Sequence, residues 1–144
     1  RTAGTGANLL LNVGPMPNGK IQTECVERLQ QMGEWMDKYG YTIYGTKQGF
    51  TLPQSWGAIT NKGKTYYIHI LEKTPSITLN IPNIKSAKWL NVDSKLVWNR
   101  DKKTGDVTFT IDGKLDDISS AFSSSRESAS IHGACSLLPI PVSP

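Results

Sequence analysis

The acids Glu24, Glu27, Glu34 and Asp37 are the nearest this 144-residue chain comes to a set of paired carboxylates. Glycoside hydrolysis divides its acid and nucleophile roles between two such groups, so the chemistry they would suggest is hydrolytic. Their spacing, however, sets them mostly opposite Val26, Leu29 and Met36, where helix charge ordinarily meets solvent. The two histidines do not converge. His69 lies between Ile68 and Ile70 in a strand-like run, and His132 lies in a serine-rich end, so neither shares a plausible site with a cysteine or carboxylate. A catalytic base also needs an orienting partner, and His69 is expected to be a solvated or hydrogen-bonded strand residue. Cys25 and Cys135 stand outside any CxxC or Cys/His metal spacing, and whether they pair stays open. No metal site is expected. Gly4 and Gly6 precede the apolar run Ala7–Val13 instead of following it, the reverse of a dinucleotide fingerprint.

The elements that must position any chemistry are legible at the N-terminal end. The residues ANLLLNV (7–13), bracketed by Gly4, Gly6 and Gly14-Pro15, read as a short strand buried on both faces of a parallel sheet. Met16-Pro17-Asn18-Gly19-Lys20 carries turn chemistry. Thr23–Tyr39 then spaces Val26, Leu29, Met32, Gly33, Met36 and Tyr39 at three or four residues, which predicts an amphipathic helix capped by Thr23 and closed by a left-handed Gly40. Strand, loop and helix make one βα unit. Barrel enzymes place catalytic groups at the C-terminal ends of strands, which singles out Asn12 and the loop 14–18. That loop holds no carboxylate, thiol or hydroxyl nucleophile, so Asn12 is the one weak substrate-binding candidate, with an amide capping loop backbone as its commoner explanation.

Beyond a linker-like passage through Gly49 and Pro53 the pattern changes. Trp56–Thr60 and Lys64–Leu71 flank Asn61-Lys62-Gly63 as a hairpin, and further strands are predicted at Ser76–Ile81, Ala87–Val92, Lys95–Asn99 and Val107–Ile111. Short strands at this spacing suggest an antiparallel sandwich. Trp56, Tyr66, Tyr67, Trp89 and Trp98 could stack on a sugar, but large rings more often fill such a core. From Ser119 onward the text is serine-rich, lacks periodicity and ends in alternating prolines, so no sheet pairing is expected there and the segment reads as a disordered or non-native tail.

Composition narrows the class. The 16 basic and 12 acidic residues leave a net charge of +4, but they are scattered, unlike the clustered patches of nucleic-acid binders. The longest apolar runs, Leu9–Leu11 and Tyr66–Leu71, fall far short of the ~18 residues that span a bilayer. The chain opens on Arg1 without a signal-like run, and Arg1 is not expected to be the natural start.

Particular strings carry a resemblance. Asn8-Leu9-Leu10-Leu11-Asn12-Val13-Gly14-Pro15, the loop Pro17-Asn18-Gly19-Lys20-Ile21, the helix residues Glu27-Arg28-Leu29 and Gly33-Glu34-Trp35-Met36, and the exit Tyr39-Gly40 with Ile43-Tyr44-Gly45-Thr46 resemble the end of the catalytic domain of the α-L-fucosidases of glycoside hydrolase family 29. Trp56-Gly57 and Lys64-Thr65-Tyr66-Tyr67-Ile68-His69-Ile70 are similar to the opening of that family's C-terminal β-sandwich, and the match runs over about Gly6–Ile118. The resemblance implies an α+β fragment: the last βα unit of a (β/α)8-like barrel over 1–52, an antiparallel β-sandwich over 53–118, and the tail 119–144. It implies a retaining exo-glycosidase acting on terminal α-L-fucose, whose nucleophilic aspartate and acid/base carboxylate lie upstream of Arg1. No catalytic residue therefore carries over to this chain, and no cofactor or metal is implied. The implied partner is a fucosylated glycan held by the missing barrel, with neither nucleic acid nor membrane, in a secreted, periplasmic or lysosomal setting. A non-catalytic carbohydrate-binding β-sandwich is the alternative.

Overall fold

The computed structural model describes residues 1–81, 83–91 and 95–111, together with the backbone of 121–125. Alternating apolar residues build most of it. In β2 (Gly57–Lys62) and β3 (Thr65–Ile70), Ile59, Tyr66, Ile68 and Ile70 face inward, while in β4 (Ser76–Leu79) and β7 (Val107–Thr110) the inward set is Ile77, Leu79, Val107 and Phe109. With Ile81, Ile84, Leu96 and Ile111 these residues form one apolar core shared by two antiparallel sheets. Each fully buried Ile or Phe contributes roughly 1.5–3 kcal/mol by leaving water, so this core carries most of the stability.

The first sheet orders its five strands β1-β2-β3-β8-β5 and the second orders its three β4-β7-β6, with β1 at Lys47–Gln48, β5 at Ser86–Trp89, β6 at Val97–Arg100 and β8 at Ala121–Ser125. The expected hairpin is present: Lys62 faces Thr65 across a two-residue turn whose first member, Gly63, has φ 62°. The turn between β6 and β7 is held by Asp101, whose Oδ1 accepts from the Lys103 backbone N–H at 2.6 Å. The two residues of β1 lie in the expected linker, where Lys47 and Gln48 pair with Asn61 and Thr60.

The expectation of no sheet pairing beyond Ser119 is corrected at Ala121–Ser125. That strand sits between β3 and β5, Ile68 facing Phe122 and Lys88 facing Ser123 in register. Backbone N–H and C=O groups make this ladder, and they do so whatever the side-chain composition. Residues 119–120 and 126–144, the remainder of that expectation, lie outside the described residues, as does Cys135; Cys25 has no disulfide partner among the described residues.

The N-terminal segment departs further. The helix α1 spans Thr23–Tyr39 as expected, but Gln22 is its N-cap and no side chain caps it, while Gly40 is right-handed (φ −56°, ψ −22°). Gly40 leads into a 3-10 turn over Gly40–Thr42. A Cβ there would stand 3.1 Å from the Tyr44 ring, so close ring packing, and not a left-handed cap, accounts for this glycine. The stretch Ala7–Val13 forms no strand, and Leu9, Leu10 and Leu11 are 67%, 84% and 53% exposed. A strand buried on both faces needs neighbours on both sides, and none of the described residues supplies them. Helix residues Val26, Leu29 and Met32 of the apolar stripe are exposed as well. Replacing Leu9 and Leu10 with serine is expected to change unfolding free energy by less than ~0.5 kcal/mol, because neither side chain is buried. The same change should sharply reduce light scattering of concentrated chain, since an unpaired apolar run is an association hazard. Undiminished scattering would locate the sticky surface elsewhere.

Candidate functional site

Strand alternation sends Tyr67 and His69 of β3, and Ala58 and Thr60 of β2, to the face of the five-stranded sheet opposite the apolar core. Thr60 lies opposite Tyr67 in register, which puts it diagonal to His69, and its Oγ1 is 3.0 Å from His69 Nε2. The same hydroxyl donates to the Thr42 carbonyl at 2.7 Å, and Thr42 Oγ1 donates to the Tyr39 carbonyl at 2.8 Å. Thr42, Thr60 and His69 are all buried. A continuous polar chain thus joins the end of α1 to the two best-buried strands of the first sheet.

Other contacts close on the same face. The 3-10 turn at Thr2–Thr5 brings Gly4 against β2, where a Cβ would come within 2.7 Å of that of Ala58. Arg1 donates to the carbonyls of Gln54 and Ser55 at 2.6 and 2.8 Å and pairs with Glu72 at 2.9 Å. Tyr41 meets Tyr67 edge-on, with ring centroids 6.0 Å apart. Burial raises the phenol pKa of both tyrosines, and at Tyr41 its two tyrosine neighbours add to the effect. Burial first, then the N-terminal ammonium, lowers the His69 imidazole to about 3 against a weaker upward pull from its hydrogen bond to the Thr42 backbone. The ring is therefore neutral at physiological pH. Among the described residues no carboxylate orients it, and the ring is buried, so the node serves as a joint and not as acid–base machinery.

Asn12 lies exposed on the uncovered stretch, far along the chain from this joint, with no side-chain hydrogen bond to any described residue. The adjoining loop is a closed turn: Met16 and Gly19 N–H donate to the Lys20 and Met16 carbonyls, and Asn18 Oδ1 accepts from the Lys20 N–H. Glu24, Glu27, Glu34 and Asp37 are all exposed along α1 and are not brought together with another acid. Among the described residues no group of three or more His, Cys, Asp or Glu side chains could hold a metal ion. Tyr66 and Tyr67 are buried, and Trp56, Trp89 and Trp98 pack half-buried against the core, so the strand aromatics offer no open stacking platform. Sequence reasoning did not find the Thr42–Thr60–His69 joint. Its available signal was a threonine and a histidine on the same face of a predicted hairpin.

Comparison with known proteins bears on what this arrangement belongs to. Residues 1–41 match the family model described as Alpha-L-fucosidase. The α-L-fucosidase of Branchiostoma floridae is 36% identical over 87 residues, covering 56% of this chain and 19% of the relative. The plasma α-L-fucosidase of Homo sapiens is 38% identical over 76 residues, covering 49% of this chain and 16% of the relative. Among solved structures, α-L-fucosidase isoenzyme 1 from Paenibacillus thiaminolyticus superposes with a TM-score of 0.73 at 26% identity over 88% of this chain and 32% of that one. The chain thus spans about a fifth of the curated relatives it matches. Similarity to α-L-fucosidases, in sequence and in fold, thus runs over most of this chain.

Proposed function

We propose that this chain serves a retaining exo-glycosidase that releases terminal α-L-fucose from glycans, supplying the end of its catalytic barrel and a supporting β-sandwich. One observation carries the reading. The two-sheet part owns a closed apolar core, whereas the segment matched by the family model, residues 1–41, leaves Leu9–Leu11 and the Val26, Leu29 and Met32 face of α1 uncovered. An apolar run and helix stripe of this kind are what a barrel strand and its outer helix present when neighbouring strands are elsewhere. The indole N–H of Trp35 on the same helix is likewise buried without an acceptor among the described residues.

In this reading the chain holds neither of the two carboxylates that the hydrolysis requires, and the glycan is bound by the barrel. The 144-residue chain incubated with 4-nitrophenyl α-L-fucoside is expected to release no nitrophenol above the uncatalysed background. Release that an iminocyclitol suppresses would overturn the assignment of the active carboxylates to the rest of the enzyme. The carbohydrate-binding alternative has less support, because the tryptophans it would need are committed to the core.

A further inference from the structure

We propose that Thr42, Thr60 and His69 form an acid-released latch that holds the N-terminal segment to the outer face of the five-stranded sheet. The hydrogen-bond geometry assigns the protons. Thr60 has one hydroxyl hydrogen and commits it to the Thr42 carbonyl, which can only accept. Its lone pair must then receive a hydrogen from His69 Nε2, so the neutral ring is the Nε2–H tautomer. Protonation would leave both bonds in place; what it changes is the charge carried in the buried seat. A second proton, on Nδ1, would put a full charge on a residue that is 4% exposed.

Among the described residues no carboxylate is brought against the ring, and the Thr42 carbonyl offsets the charge only weakly. The N-terminal ammonium approaches from the first segment and repels it. The exit turn brings the phenol of Tyr41 and β3 brings that of Tyr67, both held uncharged by burial. In β2 the ionisable residue is Lys62, exposed at the strand's far end, and β8, paired with β3 at His69↔Ala121, contains no ionisable residue. The opposite face of β2 and β3 carries Ile59, Ile68 and Ile70 with the Tyr66 phenol and the Asn61 amide, and no acid or histidine, so acid weakens the docking of residues 1–5 and 39–46 without touching the core between the sheets.

The sign follows from linkage. The imidazole is held down at about 3 in the closed form and returns to about 6.5 once hydrated, so the latch is fully closed above pH ~6.5 and loses strength as pH falls from there toward 3. Each pH unit in that window multiplies the open-to-closed ratio by about ten.

Hydrogen exchange on the 144-residue chain tests this at pH ~7, ~5.5 and ~4.5, after correction for intrinsic rates. Amides at 2–5 and 39–46 are expected to lose protection about tenfold per pH unit, while those of β4 and β7 keep theirs, and His69→Gln should flatten the dependence. Simultaneous loss of protection in β4 and β7, or an unchanged slope in His69→Gln, would overturn the latch. Should that variant not fold, the His69 ring resonances of the parent chain decide: titration near 6.5 with the chain closed refutes the proposal, and its absence down to pH ~4.5 supports it.

Discussion

Gly57→Ala is expected to destabilise the chain by more than about 3 kcal/mol, lowering its melting temperature by about 6–12 °C or more for a domain of this size. A Cβ at Gly57 would stand 1.8 Å from the His69 carbonyl oxygen, 2.9 Å from that carbonyl carbon and 3.2 Å from the Ile70 Cα. All three are backbone atoms of β3, so no side-chain rotation relieves the overlap and the strands themselves must part. Gly57 opens β2 opposite Ile70, and parting the strands there shifts His69, on which the latch depends. Gly33 provides the contrast. It lies exposed in α1 with nothing within 4 Å of its would-be Cβ, and Gly33→Ala should stabilise the helix by about 0.5–1 kcal/mol. Urea denaturation of both variants checks the pair. A Gly57→Ala chain within about 1 kcal/mol of the parent would mean that β2 and β3 can reseat without Gly57.

The elements read correctly from the sequence are those whose signals are local. Periodicity at Thr23–Tyr39 and alternation at Lys64–Leu71, with Gly63 between two apolar runs, state the helix and the hairpin because each depends on neighbours within a few residues. The strand β8 was not legible for the opposite reason. Ala-Phe-Ser-Ser-Ser has neither alternation nor β-branched residues, and its place between β3 and β5 comes from backbone ladders formed at long sequence separation. The Ala7–Val13 run failed differently again. Its composition states correctly that it seeks burial on two faces, but burial is a property of partners, and the described residues contain none.

The site divides along the same line. The opposite faces taken by Tyr66 and Tyr67 in β3, and the hydrogen-bonded place of His69, follow from which face a strand residue occupies, and that is a period-two property. Thr42 could not be paired with Thr60 from the sequence, because the pairing requires knowing that the turn after α1 folds back across the outer face of β2, eighteen positions away. Asn12 shows the converse. Its candidacy came from its position at the end of an expected barrel strand, and with that strand unformed no described side chain hydrogen-bonds to it.

Phe109→Ala is expected to remove about 3–5 kcal/mol, the range for truncating a fully buried aromatic ring. Phe109 is the largest wholly buried side chain among the described residues; in register it faces Ile77 on one side and Trp98 on the other, so its ring fills the middle of the three-stranded sheet's inner face. The neighbours that would have to collapse into the space are β-branched Ile77 and the residues of two edge strands, which limits relaxation and puts the loss toward the upper end of that range. Chemical denaturation followed by the fluorescence of Trp98 and its neighbours measures the loss, and a cost under about 1.5 kcal/mol would show that the two sheets close over the vacancy and that the core is less tightly determined than its burial indicates.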